Sequence, residues 1–482
     1  MRSKSLTYSF VTNLIFLIAI NLVIKPIWVF VIDRNVQLHF GFNAYGIFYA
    51  LLNITYLFNA LLDLGLTNYH QREVAQNNLS FTRLFGNIFS LKWLLALVYI
   101  FVCIVFAVLW KYDLEKIKWL CWLAASQVLV SFILFLRTTF SAMQHYFLDS
   151  LISIMDKVLM IIVIGYLLFF DAANFTMQQF IIAQFAAYFL TFLFALILVF
   201  RFKKSVEKPA FAELKNIIVQ ARPFTMLLLW MTIYFRLDSV LVERLSKNNP
   251  ALESGIYAAA YRLLDMVNMF AYLFSMLLFP MFNRLIAEKK SLNNLIQLSS
   301  PLLLSVAWIV SCSVLFFHEQ WFALLYHQHD LYSSQVLMLV LFSFMGVSLQ
   351  YIFSTAVTAS GKLHLQNRAA FVAVVFNALC NFIFIPKYGA MAASAIAFIT
   401  LTSMGLYNYW MAKKIFQLQL YPRKMLLWSL WALLSLGCYF IAAQFLFSFL
   451  MQQIVLCIFC LLLGWAIKVL PVKHFVNAVQ EK

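Results

Sequence analysis

The stretch FGNIFSLKWLLALVYIFVCIVFAVL, residues 85–109, holds one charged side chain, Lys92, and no proline. A helix rises about 1.5 Å per residue, so this run is long enough to cross the roughly 30 Å hydrocarbon core of a bilayer. Stretches of the same kind fill 9–31, 44–66, 118–136, 148–170, 178–200, 223–242, 255–280, 299–317, 333–354, 369–385, 388–411, 425–446 and 449–470. The chain is 64% hydrophobic and 11% charged. These features define an all-α integral membrane protein of about 14 transmembrane helices.

Charge sorting sets the orientation. With an even number of spans both termini share one side, and of the 35 Lys and Arg, 23 fall in the gaps on that side, 7 in the opposite gaps and 5 within spans. Asp and Glu divide as 5, 8 and 5, so one set of gaps carries +18 and the other −1, while the spans are neutral in total. The Lys/Arg excess marks the cytoplasmic side, which places both termini there. The net charge of +17 is therefore a topology signal, facing anionic headgroups from short inner loops such as 201–222 and 413–424. It gives no support to nucleic-acid binding. Arg2 and Lys4 precede an apolar run that exceeds a signal-peptide core and lacks a small-residue cleavage site, so a retained first helix is expected.

Catalytic signatures are missing. The chain has no GxxxxGK[ST], no GxSxG and no HExxH, which removes the chemistry of an ATP-driven pump or a hydrolase. The longest polar connections run to about 20 residues and lie on the inner side, so a glycosyltransferase or polymerase would lack a sizeable outer loop for its reaction centre. Seven cysteines sit within or beside apolar runs, and the Cys457 and Cys460 pair has no second ligand pair near it, so they read as packing residues. His327 and His329 read as a solvated outer loop beside Asp330. No cofactor or metal is expected.

The segment RFKKSVEKP, 201–209, is the longest polar break. It divides the chain into an N-terminal lobe of six spans (1–205), a second six-span lobe (206–411) and a C-terminal helix pair with its tail (412–482). Two six-helix halves entering from one side suggest a parallel repeat.

Ionisable residues inside spans are costly and are functional candidates by default. Counted from span centres, Lys25, Arg236 and Arg262 lie roughly 6 to 8 Å toward the outer leaflet. Asp238 and Asp265 share the helices of Arg236 and Arg262. Three cations at one depth suit a cavity that receives a diphosphate, which guanidinium groups grip in pairs and a lysine meets as a point charge. The structural alternative is a network in which Arg262 pairs with Asp265 at i, i+3, or Arg236 reaches Asp265 and Asp238 reaches Arg262. Lys25 has no acid in its own span, and Pro26 beside it is expected to bend the helix. Lys92 lies toward the cytoplasmic side of its span. Asp156 and Lys157 are neighbours pointing about 100° apart, so at most one squarely faces a cavity, and Asp156 is a candidate carrier for H+ or Na+ coupling. Asp63 is expected to serve a helix end with Arg72. Arg137 and Gln144, after the fourth span, are expected to meet an arriving headgroup.

Several motifs resemble those of the Wzx-type polysaccharide flippases over roughly residues 41–411. They are GIYAAAYR (255–262), Phe279-Pro280, NALCNFIFIPKYGAMAASAIA (377–397), Tyr45-Gly46, DLGL (63–66) and Arg72-Glu73. The most specific elements are Asn377, Asn381, Pro386 and Gly389. This resemblance implies the multidrug/oligosaccharidyl-lipid/polysaccharide (MOP) exporter fold, with two lobes and alternating access. It implies a transporter rather than an enzyme, moving an undecaprenyl-diphosphate-linked glycan across a bacterial inner membrane for surface polysaccharides such as O-antigen or exopolysaccharide. Membrane lipids and other polysaccharide assembly proteins are the expected partners. A lipid II flippase and a small-molecule or drug antiporter share the fold and stand as alternatives. Met391-Ala392 replaces the usual glycine, and with 12 glycines in the chain close helix contacts are expected to rely on Ala and Ser.

Overall fold

The computed structural model describes residues 23–67, 70, 81–143, 145–202, 211–419, 422–445 and 448–469. Among them eleven helices are long and apolar enough to cross a membrane by length and composition. Two compact units divide the chain, 1–243 and 244–482.

In the first unit a π-helical turn, Trp28–Asp33, runs directly into α1 (Arg34–Leu57). Pro26 precedes this widened turn by two residues, consistent with the expected distortion, since a missing amide disrupts the ladder. The connection expected between residues 31 and 44 is not a loop. Helix continues through Asp33 and Arg34 and breaks at Gly41, where φ is 72° and ψ 167°. The charged pair misled the boundary because Asp33 is buried and accepts a hydrogen bond from Tyr45 at 2.9 Å. A depth counted for Lys25 from a span ending at 31 thereby loses its reference.

After α1 come α2 (Ala60–Asp63), α3 (Phe81–Leu109) and α4 (Leu114–Ala142). They are followed by α5 (Tyr146–Phe170), α6 (Met177–Phe202) and α7 (Phe211–Leu245). Helix starts are written locally. The Asp113 carboxylate accepts the Lys116 amide at the head of α4, and Thr176 and Gln179 cap α6 reciprocally. The unit boundary falls within α7, because the C-terminal part of α7 up to Glu243 packs on the first unit. The Glu243 carboxylate accepts from Tyr112 at 2.8 Å, and the Arg236 guanidinium lies 5.2 Å from the Tyr56 ring centroid.

The second unit comprises α8 (Pro250–Ala287), α9 (Asn293–Tyr326), α10 (Leu331–Ala359), α11 (Leu363–Phe416), α12 (Pro422–Ala442) and α13 (Phe449–Ala466). Helix α11 contains the eleventh and twelfth expected spans. Its halves fold back on each other at Gly389, where φ is 52° and ψ −133°. The pairing is antiparallel: Tyr407 bonds to the Leu365 carbonyl, Gln366 to Asn408, and Asn377 to Thr400.

Glycine, not only Ala and Ser, makes the tightest described helix contact. A Cβ on Gly346 of α10 would stand 2.5 Å from Thr402 Cα, and one on Gly405 would strike the Gly346 carbonyl. With no solvent to expel, backbone approach of this kind supplies the dispersion that holds membrane helices together. Small residues complete the seam, with Ala390, Ala393 and Ser394 fully buried. Helices α12 and α13 dock on α9 through a core of Trp431, Tyr439, Cys460, Ile309 and Cys312. The Trp431 indole donates to the Cys460 carbonyl at 2.9 Å, and Ser313 to Gln453 at 2.7 Å. The two cysteines are packing residues here.

Candidate functional site

The first unit gathers cations from several helices. Lys157 on α5 is 3.3 Å from the Asp156 carboxylate and donates to the Tyr188 hydroxyl on α6 at 3.2 Å. Its ammonium also stands over two aromatic faces, 5.3 Å from the Trp28 centroid and 5.2 Å from that of Tyr188. Lys25, one turn before Trp28, lies within electrostatic range of Lys157, Asp156 and Arg137. Tyr56 lies within electrostatic range of Lys157 and carries the Arg236 guanidinium on its ring. Lys25, Lys157 and Arg236 thus belong to one neighbourhood, and Asp156 is in it.

An aromatic face attracts a cation through its quadrupole without cancelling its charge. The faces of Trp28, Tyr56 and Tyr188 therefore hold cations without themselves neutralising them. Asp156 and Lys157 do not diverge as their 100° separation on a helix suggests. The flexible lysine stem folds back so that the two charged ends meet. Trp28, Tyr56 and Tyr188 were not singled out from the sequence, because an aromatic inside an apolar span carries no mark of which face it occupies.

Lys92 has a different setting. It donates to the Asp63 carboxylate at 2.7 Å and to the Leu62 carbonyl at 3.2 Å, and its side chain is 1% exposed. Thr67 also donates to Asp63, and Ser131 bonds to the Leu62 carbonyl. Lys92, a candidate for the diphosphate cavity from the sequence, is sealed against Asp63 and the Leu62 carbonyl. A sealed ammonium at 2.7 Å from its counter-charge ties α3 to the end of α2. Asp63 takes this partner; Arg72 lies outside the described residues. Arg137 pairs with Asp149 across the α4 to α5 connection at 2.7 Å, and Gln144 lies outside the described residues.

In the second unit Arg262 and Asp265 are half-buried on α8, while Asp238 on α7 is buried in the first unit. The motif residues cluster around the α11 hairpin. Asn381 donates to Asn377 at 3.0 Å, and both are fully buried between the two halves. Pro386 stands three residues before the turn and Gly389 makes it. The amides freed by the turn find partners from other helices. Glu253 in the first turn of α8 accepts from the Ala390 amide and from the Tyr332 hydroxyl, each at 2.6 Å. Tyr332 in turn donates to the Tyr388 carbonyl and accepts from the Met391 amide. These four motif residues build a helical hairpin.

Comparison with known proteins agrees with this architecture. The lipid II flippase MurJ in an inward closed conformation is similar at a TM-score of 0.71 and 13% identity, covering 98% of this chain and 99% of that one. An inward-facing multidrug resistance MATE family transporter of the MOP superfamily gives 0.61 and 12%, covering 82% and 94%. A MOP superfamily transporter from Pyrococcus furiosus gives 0.56 and 11%, covering 86% and 96%. At such identities the likeness is one of fold, and the fold is that of the MOP transporters. No curated protein matches the chain. A family model described as polysaccharide biosynthesis protein matches residues 10–286, and with a multi-pass helical membrane fold of the MOP type the chain belongs to that family.

Proposed function

We propose that this protein is a flippase that carries an undecaprenyl-diphosphate-linked oligosaccharide from the cytoplasmic to the outer leaflet of a bacterial inner membrane, for surface polysaccharide synthesis. The observation that carries the reading is the neighbourhood of Lys25, Lys157 and Arg236 among Trp28, Tyr56 and Tyr188. A diphosphate bears the charge such a site attracts. The lipid tail stays in the bilayer while the headgroup takes the polar route, which offsets the cost of moving a charged group through hydrocarbon. A cationic drug would be repelled by the same field, which disfavours the antiporter alternative. Both termini are cytoplasmic in this proposal, and turnover by alternating access draws on an H+ or Na+ gradient.

The test is to delete the protein and identify the lipid-linked intermediate that accumulates in the inner leaflet. A surface-glycan precursor supports the proposal. Accumulated lipid II with lysis assigns the protein to cell-wall synthesis instead, and no accumulated lipid-linked glycan at all overturns the flippase reading. Lys25→Ala and Arg236→Ala proteins made at normal levels are expected to lose most export; full export by both would refute the cationic mechanism.

A further inference from the structure

We infer that Asp156 competes with the diphosphate for Lys157 and thereby sets how readily the cargo leaves, a positioning role that rests on the flippase reading above. Besides the more exposed Lys116–Asp113 pair at the head of α4, two lysine–aspartate pairs are described in the first unit, and their contrast carries the argument. Lys92 and Asp63 meet at 2.7 Å with the lysine side chain 1% exposed, and the ammonium is also bound to a carbonyl. That pair is closed to exchange. Lys157 and Asp156 meet at 3.3 Å with side chains 19% and 17% exposed.

The ordinary distance for an ammonium on a carboxylate is about 2.7–2.9 Å, so the Lys157 pair is long. The other described partners of this ammonium are the Tyr188 hydroxyl at 3.2 Å, the Met160 sulfur at 3.7 Å and two ring faces beyond 5 Å. Each is weak singly, and each survives a small movement of a flexible stem. Lys157 is thus held near its place without being locked to a counter-ion. A diphosphate oxygen arriving beside it offers more charge than Asp156 does and takes the ammonium over.

The carboxylate is then left next to an anion. As adjoining residues of one helix, Asp156 and Lys157 cannot separate far, so a bound diphosphate stays within reach of this repulsion. A carrier must bind its cargo strongly enough to load it and weakly enough to let it go. Asp156 supplies the second half of that requirement, while Lys25 and Arg236 add cationic charge to the same neighbourhood.

The test measures binding of tritiated farnesyl diphosphate to the purified full-length protein in lipid nanodiscs, for the wild type, Asp156→Asn, Lys157→Gln and the double variant. Asp156→Asn is expected to bind about tenfold or more tighter and to export glycan more slowly in cells. A merely structural aspartate would not tighten binding when removed. Lys157→Gln is expected to bind at least tenfold more weakly, and the double variant to bind no tighter than Lys157→Gln alone. If Asp156→Asn binds as the wild type does, or more weakly, while Lys157→Gln loses binding, the release role is overturned and the site reading stands. If Lys157→Gln binds like the wild type, the site reading itself fails. Asp156→Ser, measured in parallel, takes the place of Asp156→Asn should that protein not assemble.

Discussion

The Glu253 carboxylate accepts the Ala390 amide at 2.6 Å, across 137 residues of chain, at the point where α11 turns back on itself. The same oxygen holds the Tyr332 hydroxyl, so the starts of α8 and α10 and the turn at Gly389 are tied at one spot. A helix that breaks leaves backbone groups without intrahelical partners. This tie satisfies them with a carboxylate and a phenol.

Removing Glu253 should therefore cost more than one surface hydrogen bond. Glu253→Ala is expected to destabilise the protein by roughly 1.5–3 kcal/mol, the range for a bond to a charged group, and Tyr332→Phe by about 1 kcal/mol. Because both act on one turn, the double variant should fall short of the sum. Gly389→Ala meets two obstacles, a backbone conformation that a side chain strains to adopt and a Cβ that would strike the Glu253 carboxylate. Thermal unfolding in detergent, followed by loss of monodisperse protein, measures all four.

The Lys92 and Asp63 pair predicts an asymmetry. Lys92 is sealed while the Asp63 side chain is 25% exposed, so an orphaned lysine has no recourse to solvent and an orphaned aspartate does. Asp63→Leu should destabilise by roughly 3–5 kcal/mol, Lys92→Met by less, and the double variant by less than Asp63→Leu alone. Equal losses for the two single variants would contradict the burial seen here.

Glycines in α10, α11 and α12 divide sharply. Gly346→Ala and Gly405→Ala place a methyl against backbone and are expected to cost at least 1–3 kcal/mol, visible as reduced yield and a lower unfolding midpoint. Gly437 in α12 has open space around a built Cβ, so Gly437→Ala should be neutral or stabilise by about 0.5–1 kcal/mol.

Two carboxylates outside the spans predict a pH dependence. Hydrogen bonds from Lys290 and Arg284 hold Glu288 down from 4.5 to about 2. Burial at Asp330 opposes ionisation, yet bonds from Ser333 and from the Ser333 and Tyr332 amides outweigh it, so its carboxyl lies below the usual range. A depressed carboxylate contributes stability that is present above the unfolded pKa and lost as pH falls through the folded one. Local stability at the loop after α8 should accordingly decline between about pH 4.5 and 2, read by hydrogen exchange of amides 284–290. Asp330→Ala removes the cap of α10 and should cost about 1 kcal/mol at neutral pH.

Much of the fold was legible because hydrocarbon thickness imposes a length that sequence must meet. Helices α3 to α6 lie within a few residues of their expected spans, and the two spans of α11 meet within a residue of Gly389. The first connection was misplaced because Asp33 and Arg34 look like loop residues until Tyr45 is seen to bond the aspartate. Among the candidate residues, the pairing of Lys92 was not legible because its partner Asp63 lies 29 positions away on another helix. Depth along a span can be counted from sequence; rotation about it cannot.

The amino-acid sequence by itself determined that this chain crosses a membrane many times, that its basic residues sort to alternate gaps, and that its 377–397 motif resembles those of polysaccharide flippases. Those properties follow from one-dimensional quantities, apolar length, charge position and local pattern. Only the tertiary structure decided which intramembrane charges are sealed pairs and which stay partly exposed. Lys92 and Lys157 are both single lysines in apolar helices, and what separates them is the side chains that other helices bring: a carboxylate and a carbonyl around the first, aromatic faces and a hydroxyl beside Asp156 around the second. The cost of a charge in hydrocarbon depends on those neighbours, and neighbours are supplied by packing.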